Sequence, residues 1–383
     1  MNKFKYYFIL LLAGVAIVSC NKSDDDDDTV AVPLRDYTVQ YNADNDSIIK
    51  YLKNNYITVT NSPGTQQDQD VVISKLVAGD GHVSIWDQQD YLLTTRDVYN
   101  DDITYKVYYL ILREGTGHNP VNTDKVVAAY KGNLLNGTVF DSSAGGIPGK
   151  FLLWPYDQAG ADGSFTVIDG WSEIFPKFKT GTPTTGTDGV ITYNDFGAGV
   201  MFLPSGLAYY ESAKTDIPAY SPLVFSFKLY DLQRLDHDSD GVYDYQEDIN
   251  NDGYLYDFTD KVRYPNFPET LVDDTDGDGN ADFVDFDDDG DGFTTRFELT
   301  KPTGATFSGL SSYYPYDPIL DNPNTPNTDE SEIWGIPRRP TGALADPTKE
   351  ESATNSKAFL PEDYTDPARL RMHLDKTYPI KKQ

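Results

Sequence analysis

The sequence predicts an α+β domain in which an antiparallel β-sheet folds over one short helix. Residues 105–113 (YKVYYLILR) are rich in the aromatic and β-branched side chains that favour strands. Residues 125–130 and 134–140 predict a pair of strands around Asn136-Gly137, the strongest short-range hairpin signal. Residues 168–178 are the helix candidate, which Pro176 limits.

Further elements extend this block on both sides. The segment 223–229 (LVFSFKL) has apolar residues on both faces and therefore predicts a central, buried strand. Residues 46–52 predict a short amphipathic helix capped by Asp46. Residues 180–187 predict a loop rich in glycine, threonine and proline. The other strand-like segments are 71–76, 83–93 and 201–203.

The charge of the chain is strongly negative and unevenly distributed. The 383 residues leave room for two or three domains, and 28 tyrosines and 19 phenylalanines supply a β-rich core. The formal net charge is −30, and residues 236–298 alone hold 21 acidic and 3 basic residues. Because a phosphate backbone would repel this chain, we exclude nucleic acid as a partner. Such a dense run of like charge indicates either disorder or bound cations.

The first twenty residues have the layout of a secretory signal. Lys3 and Lys5 precede an apolar run at residues 6–18, which is too short to span a ~30 Å hydrocarbon layer comfortably. Ser19 and then Cys20, the single cysteine of the chain, follow this run. Residues 16–20 (AIVSC) resemble the lipobox of bacterial lipoproteins, which implies lipid attachment at Cys20 and anchoring in a membrane. The alternative is an uncleaved N-terminal anchor with an incidental cysteine.

Five consecutive aspartates follow at residues 24–28. They repel one another and have nothing apolar to bury, so they form a solvated tether. The run also resembles the acidic tag of lipoproteins on the outer face of the outer membrane, with a plain flexible linker as the alternative. We therefore expect a signal peptide at 1–19, a lipidated tether at 20–35, and an exported lipoprotein of the outer membrane or cell surface of a Gram-negative bacterium.

Several separated strings in the middle of the chain match one family in the same order. They are VAAYKG at 127–132, GTVFDSS at 137–143, VIDGW at 167–171, LPSGLAY at 203–209, and IP at 217–218 before LVF at 223–225. Residues 105–233 resemble an FKBP-type peptidyl-prolyl cis–trans isomerase. The resemblance implies an FKBP-like fold, catalysis on X–Pro bonds of exported polypeptides, and no cofactor for that catalysis.

The resemblance also assigns roles to individual residues. Rotation about an X–Pro amide crosses a barrier of ~18–20 kcal/mol set by amide resonance. A dry, rigid pocket catalyses the rotation if it binds the twisted amide better than either planar form. By analogy Trp171 is the floor under the proline ring, Tyr130 lies beside it, and Asp141 acts electrostatically near the rotating carbonyl. The implied walls are Phe140, Val167, Ile168 and Phe225, and the implied hydrogen-bonding groups are Tyr209 and Ile217.

The sequence departs from the family pattern in three places. The pocket phenylalanine between Ser143 and Val167 corresponds to either Phe151 or Phe165. An insert occupies residues 180–199. Tyr210 stands where the family usually has glycine, so a bulky side chain there could reshape the loop over the pocket. The alternative interpretation of the aromatic residues is the core of a small β-domain.

Alternating acidic residues followed by glycine recur three times between residues 236 and 298. This is the spacing of an EF-hand loop, in which short carboxylates converge on one hard cation and glycine allows the sharp turn. The expected Ca²⁺ ligands are Asp236, Asp238, Asp240, Asp244, Glu247, Asp274, Asp276, Asp278, Asp282, Asp285, Asp287, Asp289, Asp291 and Glu298. A partial copy at Asp248, Asn250, Asp252 and Gly253 lacks its last position.

These loops nearly abut one another, which leaves no room for the helices that flank a true EF-hand. The array instead resembles thrombospondin type 3 repeats, in which ions replace a hydrophobic core. The resemblance implies a structural role for Ca²⁺, bound in the weak extracellular range of ~10⁻⁴–10⁻³ M. The alternative is a purely solvated acidic linker.

The predicted order of domains follows from these segments. An N-terminal extension at 36–104 precedes the isomerase domain at 105–233, the calcium loops at 235–300 and a Pro-rich region at 301–383 to which we assign no structure. The predicted function is a lipid-anchored prolyl isomerase. Two alternatives are a domain that binds proline-containing partners without turnover, and a calcium-dependent surface scaffold.

Overall fold

The structure is a computed structural model that describes residues 33–143, 146–302, 311–322, 325 and 329–380. The predicted signal peptide, Cys20 and the aspartate run lie outside these residues. From Asp36 onwards the chain forms one compact unit. Within the described ranges, no helix combines the length and the apolar character needed to cross a membrane.

The described residues contain twelve strands and four α-helices. The strands are β1 (Asn55–Val59), β2 (Val71–Lys75), β3 (Leu92–Asn100), β4 (Ile103–Arg113), β5 (Lys125–Leu134), β6 (Val139–Ser142), β7 (Gly149–Leu152), β8 (Phe165–Thr166), β9 (Thr182–Thr185), β10 (Ile191–Asn194), β11 (Gly197–Leu203) and β12 (Leu223–Gln233). The helices are α1 (Tyr37–Asn54), α2 (Asp169–Ile174), α3 (Thr295–Glu298) and α4 (Pro361–Thr365). The predicted α+β class is confirmed at the level of a sheet-dominated molecule with few helices.

One large sheet organises these elements. Its strand order is β3-β4-β11-β12-β5-β7-β8, and β6 also pairs with β5. β12 lies between β11 and β5, so the predicted central, buried strand is confirmed. The short pairing of β7 with β8 is parallel, whereas the other strands of this sheet pair antiparallel. The sheet is therefore mixed rather than purely antiparallel, because the chain after β7 returns to the starting end of that strand before β8 begins.

Both faces of the central strands are covered, because side chains alternate between the faces along each strand. On the first face, Phe225 and Phe227 of β12 pack with Trp171 of α2 and with Phe175 in the 3-10 turn that follows it. Pro176 lies in this turn, Phe175–Lys177, which ends the helix as predicted.

Helix α1 covers the second face of the sheet. Its Ile48 and Leu52 pack with residues of β4, β11 and β12. The helix starts nine residues earlier than predicted and is capped by Asp36, whose carboxylate accepts the Val39 N–H at 2.9 Å. The first half escaped the prediction because its buried residues are polar: the Asp44 carboxylate accepts a hydrogen bond from the backbone N–H of Ser205 at 2.7 Å.

Two further sequence predictions were wrong. Residues 83–91 form a turn rather than a strand, since Ser84 and Asp87 hydrogen-bond to each other, and the strand begins only at Leu92. Residues 180–187 are not a simple loop, because β9 pairs with β10 in a hairpin that turns between Gly186 and Val190. The exposed, threonine-rich strand β9 lacks the apolar alternation that identifies a half-buried strand.

The C-terminal region packs around a hydrophobic cluster of its own. The cluster joins Leu299, just after α3, to side chains far along the tail and to one residue of the first acidic loop. Its buried members are Val242, Leu299, Tyr314, Ile336, Tyr364 and Met372. The sequence did not predict this cluster because its members are scattered among prolines and turns with no helical or strand period.

The buried imidazole of His373 predicts that acid destabilises this C-terminal region. His373 is 2% exposed, and burial together with the positive charge of Arg371 lowers its pKa to about 3. In the unfolded chain the pKa returns to about 6.5, so protonation favours unfolding below that pH. We expect the His373 contribution to fall by about 2 kcal/mol between pH 7 and pH 5.

Urea unfolding of the protein at pH 7 and pH 5, compared with His373→Gln, measures this contribution. All other titrating groups are shared by the two proteins and cancel in the difference. Equal pH dependence in the two proteins would rule out the proposed effect of His373.

Candidate active site and cation-binding loops

A cleft of about 270 Å³ opens between α2 and the first face of the sheet. Eight of the nine residues that the family resemblance assigned to a pocket line it. They are Tyr130, Phe140, Asp141, Val167, Ile168, Trp171, Tyr209 and Phe225. Phe151 and Thr166 complete the lining.

The indole of Trp171 forms the centre of the aromatic wall. It stacks on Phe175 with a centroid distance of 5.0 Å and an interplanar angle of 18°. Three further rings surround it: Tyr130 at 5.1 Å, Phe151 at 5.2 Å and Phe225 at 5.4 Å. The side chain is only 4% exposed, so its packing holds it rigidly in place. A ring held this firmly offers a small apolar ligand such as a proline a fixed surface.

The polar side of the cleft consists of two phenols and one carboxylate. The Tyr130 hydroxyl donates to Asp141 Oδ2 at 2.5 Å. Burial, followed by this hydrogen bond, raises the pKa of Tyr130. Burial and then the negative charge of Asp141 raise the pKa of Tyr209. Both phenols therefore stay neutral at physiological pH. The Tyr130 proton is already donated to Asp141, whereas the Tyr209 hydroxyl keeps a proton that it can donate to a carbonyl oxygen.

Three neighbouring strands position these groups. Phe225 on β12 lies opposite Gly132 on β5, and Gly132 lies opposite Asp141 on β6. The absence of a side chain at Gly132 leaves room for Phe140, because a Cβ there would lie 2.4 Å from two atoms of its ring. Sequence reasoning did not assign a function to this glycine.

Gly132→Ala is therefore expected to displace the Phe140 ring and to lower several-fold the isomerase turnover that the family resemblance implies. Overpacking of this kind costs about 1–3 kcal/mol of stability. Turnover and unfolding free energy should be measured beside Asn133→Ala, which lies one residue along β5 and on its other face. Wild-type turnover in Gly132→Ala would show that the position of Phe140 does not matter.

The structure answers one question that the sequence left open and corrects the assignment of one predicted pocket residue, Ile217. Phe151 lines the cleft, whereas Phe165 on β8 is 63% exposed. Ile217 does not line the cleft, since its side chain is buried in the adjoining core and its N–H donates to the carbonyl of Lys214 at 3.3 Å. Sequence reasoning did not predict Thr166 as a cleft residue. Its position directly before Val167, a predicted wall residue, could have indicated it.

Tyr210, at the position of the family glycine, has a φ of +46°. Glycine adopts this left-handed conformation more readily than other residues. Here the Tyr210 ring stacks on Tyr37 of α1 at 4.5 Å and contacts Tyr220 edge-on at 4.9 Å. Its side chain is thus held by α1 and is not among the residues that line the cleft.

The acidic loops bring carboxylates together in three groups within the described residues. In each group one oxygen from every side chain lies within 4.8 Å of the others. The groups are Asp238, Asp240, Glu247 and Asp288; Asp274, Asp276 and Asp278; and Asp287, Asp289 and Asp291. Nine of the fourteen predicted ligands belong to them, and Asp288 was not predicted.

Five predicted ligands lie outside these groups. Asp244 instead accepts from His237 Nδ1 at 2.6 Å, and Asp282 accepts from the Thr275 hydroxyl at 2.7 Å. Asp236 accepts the Gly241 N–H within its own loop, and Asp285 accepts the N–H of Asp287 at the start of the next loop. Glu298 is buried, and its Oε1 accepts no hydrogen bond.

The carboxylates suit a hard cation because several of their oxygens are buried without a hydrogen-bond donor. These atoms include Asp238 Oδ2, Asp240 Oδ2, Glu247 Oε1 and Asp289 Oδ2. Burial, then the charge of Asp288 and other acids, raises the pKa of Glu247 to about 12. Two like charges 4 Å apart repel by about 4 kcal/mol near a protein surface. A divalent cation would remove this repulsion and satisfy the oxygens.

The loop segment packs directly against α2, which carries Trp171. The Tyr254 hydroxyl donates to the carbonyl of Glu173 at 2.8 Å, and the Tyr256 hydroxyl donates to its carboxylate at 3.1 Å. Arg96 Nε donates to the same carboxylate at 2.8 Å. The acidic segment is therefore anchored two residues beyond Trp171.

About a third of the chain is similar in sequence to FKBP-type peptidyl-prolyl isomerases. A probable FKBP-type isomerase FkpA of Neisseria meningitidis is 36% identical over 123 residues, which is 32% of this chain and 36% of that protein. FkpA of Aeromonas hydrophila is 34% identical over 134 residues, 35% of this chain and 41% of that protein. FkpA of Escherichia coli K12 is 32% identical over 126 residues, 33% of this chain and 37% of that protein.

The chain thus spans about two fifths or less of the length of these relatives. Among solved structures, Escherichia coli FkpA matches at 32% identity over 33% of this chain and 48% of that chain, with a TM-score of 0.25. An isomerase of Pseudomonas syringae matches at 19% identity over 53% and 99%, with a TM-score of 0.29. A family model described as BamM C-terminal matches residues 237–327.

Proposed function

We propose that this protein is a peptidyl-prolyl cis–trans isomerase. The observation that supports the proposal most is the single cleft that unites eight side chains from separate sequence strings. Six of them are on the strings VIDGW, GTVFDSS and LPSGLAY, which lie far apart in the chain. A general hydrophobic core would not require Asp141 to share a cavity with Trp171 and Tyr209.

The proposed catalysis needs no nucleophile and no cofactor. Trp171 and the surrounding rings take up the proline ring and exclude water from it. In the twisted amide, resonance is lost and the carbonyl is free to rotate towards the hydroxyl of Tyr209 or the region of Asp141. Interactions that are stronger with the twisted form than with either planar form lower the barrier.

Refolding of a protein whose slow phase is limited by a prolyl bond tests this function. Residues 36–383, the compact unit, should accelerate that phase in proportion to their concentration. Tight binding to the same unfolded protein with no acceleration would favour the alternative function, a module that binds proline-containing segments without turnover.

We further propose that the protein acts outside the cytoplasm, anchored by lipid at Cys20 in the outer membrane or at the cell surface. The signal-like residues 1–19 and the acidic tether support this localisation. The substrates would then be X–Pro segments of other exported polypeptides, and the net charge of −30 speaks against nucleic acid. The test of the anchor compares wild-type protein with Cys20→Ala. The wild-type protein should carry lipid and fractionate with cell membranes, and the variant should do neither.

We also propose that the acidic loops bind structural Ca²⁺. The buried carboxylate oxygens without a donor support this role, because a hard divalent cation satisfies such oxygens. Nine of the predicted ligands would serve in the three groups described above. The alternative is that the protein is a calcium-dependent surface scaffold without isomerase function. In that case substitutions in the cleft would leave the scaffold function intact.

A further inference from the structure

Asp288 lies where the loop spacing places no ligand. It is the second residue of the third loop, between the expected ligands Asp287 and Asp289. The structure nevertheless brings its carboxylate into a group with residues of the first loop, some forty positions earlier in the chain. One oxygen each of Asp238, Asp240, Glu247 and Asp288 lies within 4.8 Å of the others.

The surroundings of Asp288 leave its charge without compensation. The residue is 2% exposed, and neither carboxylate oxygen has a donor in hydrogen-bond geometry. The polar group beside it is the Thr295 hydroxyl, which accepts the Asp288 N–H at 3.4 Å. In the described part of the chain, no lysine, arginine or histidine forms an ion pair with any of the four acids. The guanidinium of Arg296 donates to the backbone carbonyl of Asp240 at 3.4 Å, so its charge offsets that of Asp240 in part without forming an ion pair. A buried group of one sign is either neutralised by protonation or balanced by a cation, and the convergence of four carboxylates favours a cation.

We propose that Asp288 is a cross-loop ligand and that one divalent cation, Ca²⁺, is bound jointly by the first and third acidic loops. This inference rests on the proposed calcium-binding role and adds a ligand that the loop pattern excludes. Oxygen ligands from four carboxylates match the preference of Ca²⁺ for six to eight hard oxygens, the remainder coming from carbonyls or water.

The joint site would clamp the C-terminal half of the molecule. The first loop follows β12 directly, and the third loop leads into α3 and Leu299 of the C-terminal cluster. An ion shared by Glu247 and Asp288 therefore closes the chain between them into a ring. That ring contains Tyr254 and Tyr256, which pack against α2, so the ion would restrict their departure from the helix.

Calcium titration by calorimetry tests the proposal on residues 36–383. Asp288→Asn should bind one Ca²⁺ fewer, or bind one of them about tenfold more weakly, because it removes a charged ligand. Asp285→Asn is the matched control, since the loop spacing names Asp285 as a ligand and the structure leaves it outside the three groups. The proposal would be overturned if Asp285→Asn lost Ca²⁺ binding while Asp288→Asn bound Ca²⁺ like the wild type.

A double variant keeps the test valid if single substitutions loosen the fold. Asp238→Asn and Asp288→Asn should lose the same ion, so the double variant should also lack one ion and not two. Loss of two ions in the double variant would contradict a joint site. Wild-type protein that binds no Ca²⁺ at all would overturn the calcium-binding role itself, a result distinct from normal binding in Asp288→Asn.

Discussion

Trp171→Leu is expected to lower the catalysed rate of X–Pro isomerisation by about tenfold or more, which corresponds to ~1.4 kcal/mol of transition-state stabilisation. The indole is the centre of the aromatic wall and touches four other rings. Leucine keeps the site apolar but cannot provide a flat, rigid surface beneath a proline ring. The uncatalysed rate remains, so the measurement is the protein-dependent part of the exchange rate.

Asp141→Asn provides a second variant that spares the core. Asp141 is exposed, so its substitution leaves the packing around Trp171 in place. The loss of its charge should lower turnover by about tenfold. This is less than the ~10²–10³-fold loss for a donor in a closed site, because solvent screens an exposed carboxylate. Near-UV circular dichroism should show native packing of the aromatic residues in this variant. Native packing together with undiminished turnover in both variants would argue against the assigned cleft.

Removal of Ca²⁺ with EDTA is expected to lower the melting temperature by an amount on the order of 10 °C. Each site with a dissociation constant of ~10⁻⁴–10⁻³ M contributes about 1.4–2.7 kcal/mol at 10 mM Ca²⁺. Without the ions, like charges in three groups of carboxylates repel one another. Proteolysis should therefore increase across residues 235–300, whereas residues 125–229 stay protected.

Magnesium serves as the control for this experiment. At equal concentration it should restore much less stability, because it is smaller and gives up its water reluctantly. The same melting temperature and the same cleavage pattern with and without Ca²⁺ would count against the loops as ion-binding sites.

The sequence predicted the candidate cleft better than it predicted the limits of the fold. Short strings such as VIDGW carry both the local turn and the cleft residues, so Trp171, Val167 and Ile168 were identified together. The choice between Phe151 and Phe165 depended on which part of the long stretch between Ser143 and Val167 faces α2. Only the pairing of β7 with β5 decides that, and such long-range register is not visible in local sequence.

Polar burial and non-local packing explain most of what the sequence did not predict. Asp44 lies buried because Ser205, far along the chain, satisfies its carboxylate. Asp288 joins residues of a loop some forty positions away, although its place in the third loop gives no sign of this. Hydrophobic periodicity describes neither case, since it records which residues are apolar and not which polar groups find partners.

The most direct test of the central claim is the equilibrium exchange of an X–Pro peptide, followed by NMR with residues 36–383 and with Trp171→Leu. We predict that wild-type protein, at a concentration far below that of the peptide, causes exchange between the cis and trans resonances of the peptide and broadens them. Trp171→Leu should largely fail to do so. Exchange at the uncatalysed rate of tens to hundreds of seconds in the presence of folded wild-type protein would contradict prolyl isomerase activity.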